Sequence, residues 1–232
     1  MMDPESPVTW RKLRDAVRDC SDCQALQGIL FQPFSCDWPE LPEPKPQPIL
    51  FVSEAPPTDG GFWVVQPKER RQDGLRTNLL PLLGMSPAGE TQPLKTFRDR
   101  GYFLLQSFQR PLKFSINGVG VPERRDMLDH HVAAHLKPHL ALLRPRAIQA
   151  LGKTAAIALS MVFPQSSFAS ALDENGFKAI CGQIFPERGD PDLLAPTHLP
   201  AGPAAGFFRN SWTSDIPAFL ARANLLKPKE RS

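Results

Sequence analysis

The segment Ile49–Pro57, which reads ILFVSEAPP, carries the first strong indication of the fold. Its first four residues are apolar, and a short apolar run bounded by turn residues is typical of a parallel strand buried on both faces. Ser53, Glu54 and the prolines then form a stiff polar loop. Ligands of open α/β sheets bind at the carboxyl ends of such strands, so the loop is a candidate site. Taken alone, the segment fits a simple polar turn better.

Similar apolar runs recur along the chain and alternate with helical patterns. The further predicted strands are Tyr102–Phe108, Ala147–Leu151 and Leu193–Pro196, and Gly176–Ile184 is predicted as a strand or hairpin. Predicted helices cover Val8–Val17, Thr77–Leu83, Arg124–Leu143 with a kink at Pro138, Lys153–Met161 and Ser214–Ala223. This alternation predicts a three-layer α/β/α sandwich with a mostly parallel central sheet.

The length of 232 residues predicts a single domain over 1–232. Residues 1–48 contain the first helix and a connection, and residues 49–225 form the core. Within the connection, residues 31–48 are rich in proline and acidic, which excludes a helix or a central strand there.

The composition excludes several classes of protein. With 41% hydrophobic and 22% charged residues, the chain is neither disordered nor fibrous. No apolar run approaches the roughly 20 residues of a membrane span, and the first ten residues lack a signal-peptide pattern. The net charge of +3 permits a polyanionic partner without requiring one. We expect a soluble, cytoplasmic monomer.

Two groups of potential metal ligands stand out. The four cysteines are too few for a disulfide scaffold, and the Cys20-x-x-Cys23 spacing suits metal or redox chemistry better. His131, His135 and His139 recur every four residues and share one stripe of the predicted helix, where they can chelate a metal. A polar helix face opposite the leucine stripe explains the histidines without a metal, and this is the interpretation we favour.

Five segments, in the same order, resemble the uracil-DNA glycosylase superfamily, and its bacterial and archaeal iron-sulfur branch most closely. The resemblance runs from about Cys20 to the C-terminal helix. The segments are ILFVSEAPP, RTNLLPLLGM, GYFLLQSFQRP, LLRPRAIQALGKTAAIAL and PTHLP with the downstream Phe207-Phe208-Arg209. ILFVSEAPP is similar to the first family motif, and PTHLP resembles the second, which usually reads His-Pro-Ser.

The resemblance implies cleavage of the bond between a uracil and its deoxyribose in DNA, after the nucleotide has been flipped out of the duplex. Glu54 falls on the motif-one glutamate, which positions water or supports the cationic sugar. His198 falls on the motif-two histidine, which stabilises charge on the departing base. The second motif-one acid is displaced or lost, since Gly60 and Gly61 take its place and Asp59 lies one residue early.

The same resemblance implies a base-binding pocket with altered contacts. Ser53 and Ala55 line it from motif one, and Phe62 or Trp63 is the candidate for stacking on the base, with a core position as the alternative. Leu105 aligns with the asparagine that reads uracil in the family. Gln106 is adjacent, but successive strand side chains point to opposite faces, so Gln106 reaches the pocket only if a bulge shifts the register. Because leucine offers no hydrogen bond, we expect relaxed selectivity among deaminated bases.

We predict DNA contacts from a largely neutral loop that presses against a groove, with basic side chains on the phosphates. The loop residues are Pro200, Phe207 and Phe208, and the basic residues are Arg209, Lys68, Arg70 and Arg71. A solvated surface with scattered charge is the alternative.

The resemblance also places Cys20 and Cys23 on the first two ligands of the family's iron-sulfur cluster. Gln109 occupies the third position, and the helix Arg124–Leu143 contains no cysteine for the fourth. A cubane cluster needs four thiolates, so we predict no cluster and no other cofactor, with Cys20 and Cys23 as the weak metal candidates. The predicted function is that of a monofunctional DNA glycosylase that leaves an abasic site. The alternative is a catalytically silent family member that binds DNA or a nucleobase.

Overall fold

The computed structural model of the chain describes residues 8–27, 30–37, 41–64, 74–85, 93–113, 121–189, 191–201 and 205–226. Within these ranges five strands form one sheet in the order β2-β1-β3-β5-β4, and only β4 is antiparallel to its neighbour. The strands are β1 Ile49–Ser53, β2 Tyr102–Gln106, β3 Ala147–Leu151, β4 Phe185–Pro186 and β5 Leu193–Thr197.

Helices cover the sheet, and the chain is an α/β protein with the predicted three-layer architecture. Their bounds are α1 Trp10–Arg18, α2 Ser21–Ala25, α3 Gly74–Leu82, α4 Pro93–Asp99, α5 Val121–His131, α6 Lys137–Leu143, α7 Lys153–Val162, α8 Ser167–Asn175, α9 Phe177–Ile180 and α10 Arg209–Ala223. A 3₁₀ turn covers Gly61–Trp63, and a π-helical turn covers Val132–Leu136.

The central strands are buried along their whole length, as their apolar sequences predict. Ile49 of β1 pairs with Tyr102 of β2 on one side and with Ala147 of β3 on the other. Every residue of β1, β3 and β5 is buried. The carboxyl ends of β1, β2, β3 and β5 therefore meet at one edge of the sheet, which is the edge that we call the ligand edge.

The N-terminal segment packs on the same hydrophobic core. The indole N–H of Trp10 donates to the carbonyl of Leu41 at 3.2 Å, and its ring lies edge-on against the rings of Phe103 and His139. Residues from Trp10 to Ala223 thus contribute to one core cluster.

Two predictions about secondary structure need correction. Gly176–Ile184 contains neither a strand nor a hairpin, because Phe177–Ile180 forms α9 and the short β4 follows at Phe185. A short apolar run does not distinguish a strand from a helix by periodicity alone. The single helix predicted for Arg124–Leu143 is divided into α5 and α6 by a π-helical turn just before Pro138, where the Lys137 amide donates to the Val132 carbonyl five residues earlier. None of the helices within the described ranges is both long and apolar enough to cross a membrane.

Candidate functional site

The motif-one loop leaves the ligand edge directly after β1. Ser53 is buried, and its carbonyl accepts hydrogen bonds from the amide and the hydroxyl of Ser107. Glu54 is half-buried, and its Oε1 accepts a hydrogen bond of 3.0 Å from the Thr154 hydroxyl. Because Thr154 lies in the first turn of α7, that bond fixes the carboxylate against the helix that follows β3. Ala55, next along the loop, is half-buried.

The motif-two loop leaves the same edge after β5. Thr197 is buried and donates to the Asp215 carboxylate at 2.6 Å, which ties the end of β5 to α10. The Asn78 side chain of α3 donates to the Pro200 carbonyl at 2.8 Å. Gly152 lies beneath this loop with φ +97°, and a Cβ there would stand 3.3 Å from the Cβ of Leu199. The loop therefore has fixed contacts on either side of His198.

His198 itself lies between two aromatic rings. The Phe208 ring stacks on the imidazole with a centroid separation of 3.7 Å and an interplanar angle of 7°, and the Phe177 ring lies edge-on at 5.5 Å. Partial burial lowers the pKa of His198 below its usual value, against the opposing effect of the Asp215 carboxylate. The imidazole is therefore a neutral donor or acceptor at physiological pH.

Glu54 and His198 share the ligand edge because β1 and β5 pair in parallel with opposite sides of β3. The first strand delivers a carboxylate, and the last parallel strand delivers an imidazole. The arrangement can position a water with one group and stabilise a leaving anion with the other.

Other residues predicted from motif one have packing contacts. Asp59 accepts a hydrogen bond from the Gly61 amide at 3.1 Å and so stabilises the 3₁₀ turn. Phe62 and Trp63 are buried and pack edge-on against Phe97, and the Trp63 indole donates to the Leu104 carbonyl at 3.1 Å. Stacking on a flipped base would require either ring to leave this aromatic cluster.

The predicted base-reading residues end the neighbouring strand. Leu105 and Gln106 are both buried, and they pair in register with Val52 and Ser53. The Gln106 carbonyl accepts a hydrogen bond from the Gln109 side chain. Both residues therefore lie beside the start of the motif-one loop.

The predicted DNA-contacting residues divide by exposure. Phe207 is 90% exposed, and Phe208 and Arg209 are also exposed. Pro200 is buried and so is not part of that surface. Lys68, Arg70 and Arg71 lie outside the described residues.

A groove of about 550 Å³ lies elsewhere, between the end of α7, the start of α8 and β4, and it is lined by none of these residues. Its main acid, Glu187, accepts hydrogen bonds from the Ser167 and Phe168 amides and so caps α8. This contact stabilises the helix and gives no indication of a ligand.

A second cluster of reactive side chains joins the two cysteines of the N-terminal segment to the long helix. Cys20, Cys23, His130 and His135 each place one ligand atom within 4.8 Å of all the others. Cys20 Sγ lies 3.5 Å from His130 Nε2, and Cys23 Sγ lies 3.8 Å from His135 Nε2. We call these four residues the Cys-His cluster.

The histidines of this region are not the polar face that their spacing suggested. His131, His135 and His139 are buried, and desolvation lowers the pKa of His131 to about 3 and those of His135 and His139 to about 4. Burial also raises the pKa of the Cys23 thiol to about 12. His130, which the stripe omitted, belongs to the cluster because the π-helical turn brings residues five apart to about one helical turn from each other.

The donor set does not fit the iron-sulfur cluster that the family resemblance implies. It contains two thiols and imidazoles, whereas a cubane takes four thiolates. Neither remaining cysteine belongs to the cluster: Cys36 Sγ faces the Thr58 carbonyl at 4.0 Å, and Cys181 lies near Asp215. The prediction that the chain offers no metal site is not supported, because the described residues include a group of four that can hold an ion.

The chain matches no model of a known protein family and no curated protein sequence. We therefore infer function from the geometry of the ligand edge and of the Cys-His cluster.

Proposed function

We propose that the chain is a monofunctional DNA glycosylase that hydrolyses the N-glycosidic bond of uracil or another deaminated base. One observation carries the proposal: β1 and β5 deliver a half-buried glutamate and a neutral histidine to the same edge of the sheet, and these are the two residues that the sequence resemblance aligns with the family motifs.

In this reaction the bond between the sugar C1′ and the base nitrogen breaks with its electron pair going to the base. Glu54 supports the cationic sugar or orients the attacking water, and the Thr154 hydroxyl holds the carboxylate in place for either task. His198 stabilises the negative charge that grows on the base, while the Phe208 and Phe177 rings fix the plane of its imidazole.

The exposed segment Phe207–Arg209 supports DNA as the substrate. Phe207 projects its ring into solvent only nine residues after His198, and Arg209 adds a positive charge beside it. An apolar wedge next to a basic residue suits a protein that unstacks a base and holds the neighbouring phosphates.

The test is to incubate the purified full chain with oligonucleotides that contain uracil, hypoxanthine or a mismatch, in single and double strands. Strand cleavage after alkali reports abasic sites. We expect abasic product from at least one deaminated base and none from the undamaged control. Tight binding of every oligonucleotide without abasic product would overturn the proposed activity and favour a catalytically silent member of the family that binds DNA.

A further inference from the structure

We propose that Cys20, Cys23, His130 and His135 bind one zinc ion in a closed structural site, in place of the iron-sulfur cluster of the proteins that the chain resembles. The site joins the N-terminal helices to the helical segment 121–143. This inference does not depend on the proposed glycosylase activity.

The spacing of the four ligand atoms fits a tetrahedral ion. Zinc lies about 2.3 Å from sulfur and about 2.0 Å from nitrogen, so the edges of the tetrahedron measure roughly 3.3 to 3.8 Å. The pairs Cys20 Sγ–His130 Nε2 at 3.5 Å and Cys23 Sγ–His135 Nε2 at 3.8 Å already fall in this range. No pair in the cluster exceeds 4.8 Å, so closure around an ion needs shifts of about 1 Å.

His130 has the surroundings of a zinc ligand. Its Nδ1 lies 3.4 Å from the Asp22 carboxylate, and its Nε2 faces Cys20 Sγ. Ligating histidines typically donate their second ring N–H to a carboxylate, which directs the lone pair of the other nitrogen at the metal. Because Cys20 and His130 are only half-buried, the site also has an entry path.

His131 has a different role, although its Nε2 lies only 3.2 Å from Cys23 Sγ. The Gln109 backbone amide donates to His131 Nδ1 at 3.4 Å, so a neutral ring must carry its proton on Nε2. That N–H points at the sulfur and stabilises it as a thiolate. We therefore exclude His131 from the ligands and assign it as a hydrogen-bond donor to Cys23.

The start of α2 orients the Cys20 sulfur as a hydrogen-bond acceptor. Cys20 is the N-cap of this helix, and its Sγ accepts the Cys23 backbone amide at 3.4 Å. N-caps are usually Ser, Thr, Asp or Asn because the cap must accept a hydrogen bond, and a neutral thiol accepts weakly. A metal-bound thiolate is a far stronger acceptor, so an ion explains a cysteine at this position.

Two thiolates and two imidazoles in a tetrahedral arrangement favour zinc over the other common ions. Mg²⁺ and Ca²⁺ take oxygen ligands, and a cubane cluster takes four thiolates. A two-iron cluster with two cysteines on one iron and two histidines on the other has the same donor types, but it separates the sulfurs from the imidazoles. Here Cys20 and Cys23 each lie within 3.8 Å of a histidine nitrogen, which suits one shared ion. A Cys₂His₂ set is a common structural zinc site, and four protein ligands leave no open position for catalysis.

The first test measures the metal content of the untagged full chain. Elemental analysis is expected to give about one zinc per chain, and a chelator is expected to lower the melting temperature until zinc is restored. The Cys20→Ser/Cys23→Ser double variant should lose the zinc and its response to the chelator, whereas Cys36→Ser, the matched control outside the cluster, should keep both.

The second test covers the case in which the double variant does not fold. Wild-type chain stripped of metal is titrated with Co²⁺, and we expect the visible absorption of a tetrahedral, thiolate-bound ion at one equivalent, which Zn²⁺ then displaces. Failure to bind either ion, iron and sulfide in stoichiometric amounts, or full zinc content in the double variant would overturn the proposal.

Discussion

The histidines of this chain occupy two contrasting environments. Three of those on the long helix, His130, His131 and His135, lie beside two cysteines, and the Nε2 atom of each faces a sulfur atom. His198 lies at the ligand edge between two phenylalanine rings, half-buried, on a loop that is anchored at both sides. Metal ligands that are largely buried and come from two separate segments of the chain suit a permanently bound ion. A single imidazole of fixed orientation at an accessible edge suits a ligand that arrives and leaves.

Replacement of His198 is expected to have the largest effect on catalysis and none on metal content. Removal of one preorganised group that stabilises developing charge typically costs about 10²-fold or more in turnover. His198→Ala should therefore slow base release by at least this factor, and Glu54→Gln by a smaller one. Single-turnover assays measure both, with Glu174→Gln, an exposed carboxylate of α8, as the control. Unchanged turnover in His198→Ala would remove the proposed mechanism.

Replacement of His131 tests how the surroundings of the Cys-His cluster affect its metal affinity. His131→Phe keeps a ring between Phe31 and Phe108 but removes the N–H that faces Cys23. Loss of such an outer contact typically weakens metal affinity by about 10- to 100-fold. Competition with a chelator should show this shift, while one zinc still binds at saturation and base release is unchanged. Complete loss of zinc binding would make His131 a ligand, contrary to our assignment.

A smaller effect is expected from the exposed aromatic residue beyond His198. Phe207→Ala should weaken DNA affinity by about fivefold, which corresponds to roughly 1 kcal/mol, the lower end of the range for one stacked base. Leu225→Ala is the matched control because Leu225 is 82% exposed and lies beyond α10. Equal losses in both variants, or binding that does not weaken as salt is raised, would argue against this surface as the DNA contact.

The smallest effect concerns which base is read. A site built to hydrogen-bond its substrate discriminates by about 10⁴-fold or more, and Leu105 offers no such bond. We expect the kcat/KM values for uracil and hypoxanthine to differ far less than this, and Gln106→Ala to reduce what discrimination remains. Efficient and exclusive release of uracil, unaffected by Gln106→Ala, would show that the strand is wrongly aligned with the family.

Most of the fold could be predicted from the local sequence. Apolar residues dominate the strands β1 and β3, with Ser53 and Gln149 as the polar exceptions, and this composition predicts their burial on both faces without long-range information. The short α9 escaped prediction because its four residues, three of them apolar, are too few for the periodicity to distinguish a helix from a strand. The placement of Glu54 and His198 at one edge of the sheet could also be predicted, because each follows a strand and parallel strands end at the same edge.

The Cys-His cluster could not be derived in the same way. Its cysteines and histidines are separated by more than 100 residues in the chain, so only tertiary packing shows that they meet. His130 also falls outside the α-helical stripe of His131, His135 and His139, and it joins His135 only because the backbone takes a π-helical turn. The Pro138 that follows was the one local signal of irregularity.

The separation of the metal site from the ligand edge is tested by measuring zinc content and base release in the same preparations of wild type, His198→Ala and Cys20→Ser. We predict that His198→Ala keeps about one zinc and loses base release, and that Cys20→Ser loses zinc but retains base release well below its melting temperature. The assignment of two separate sites would be contradicted if one variant lost both zinc and base release, or if both variants kept both properties.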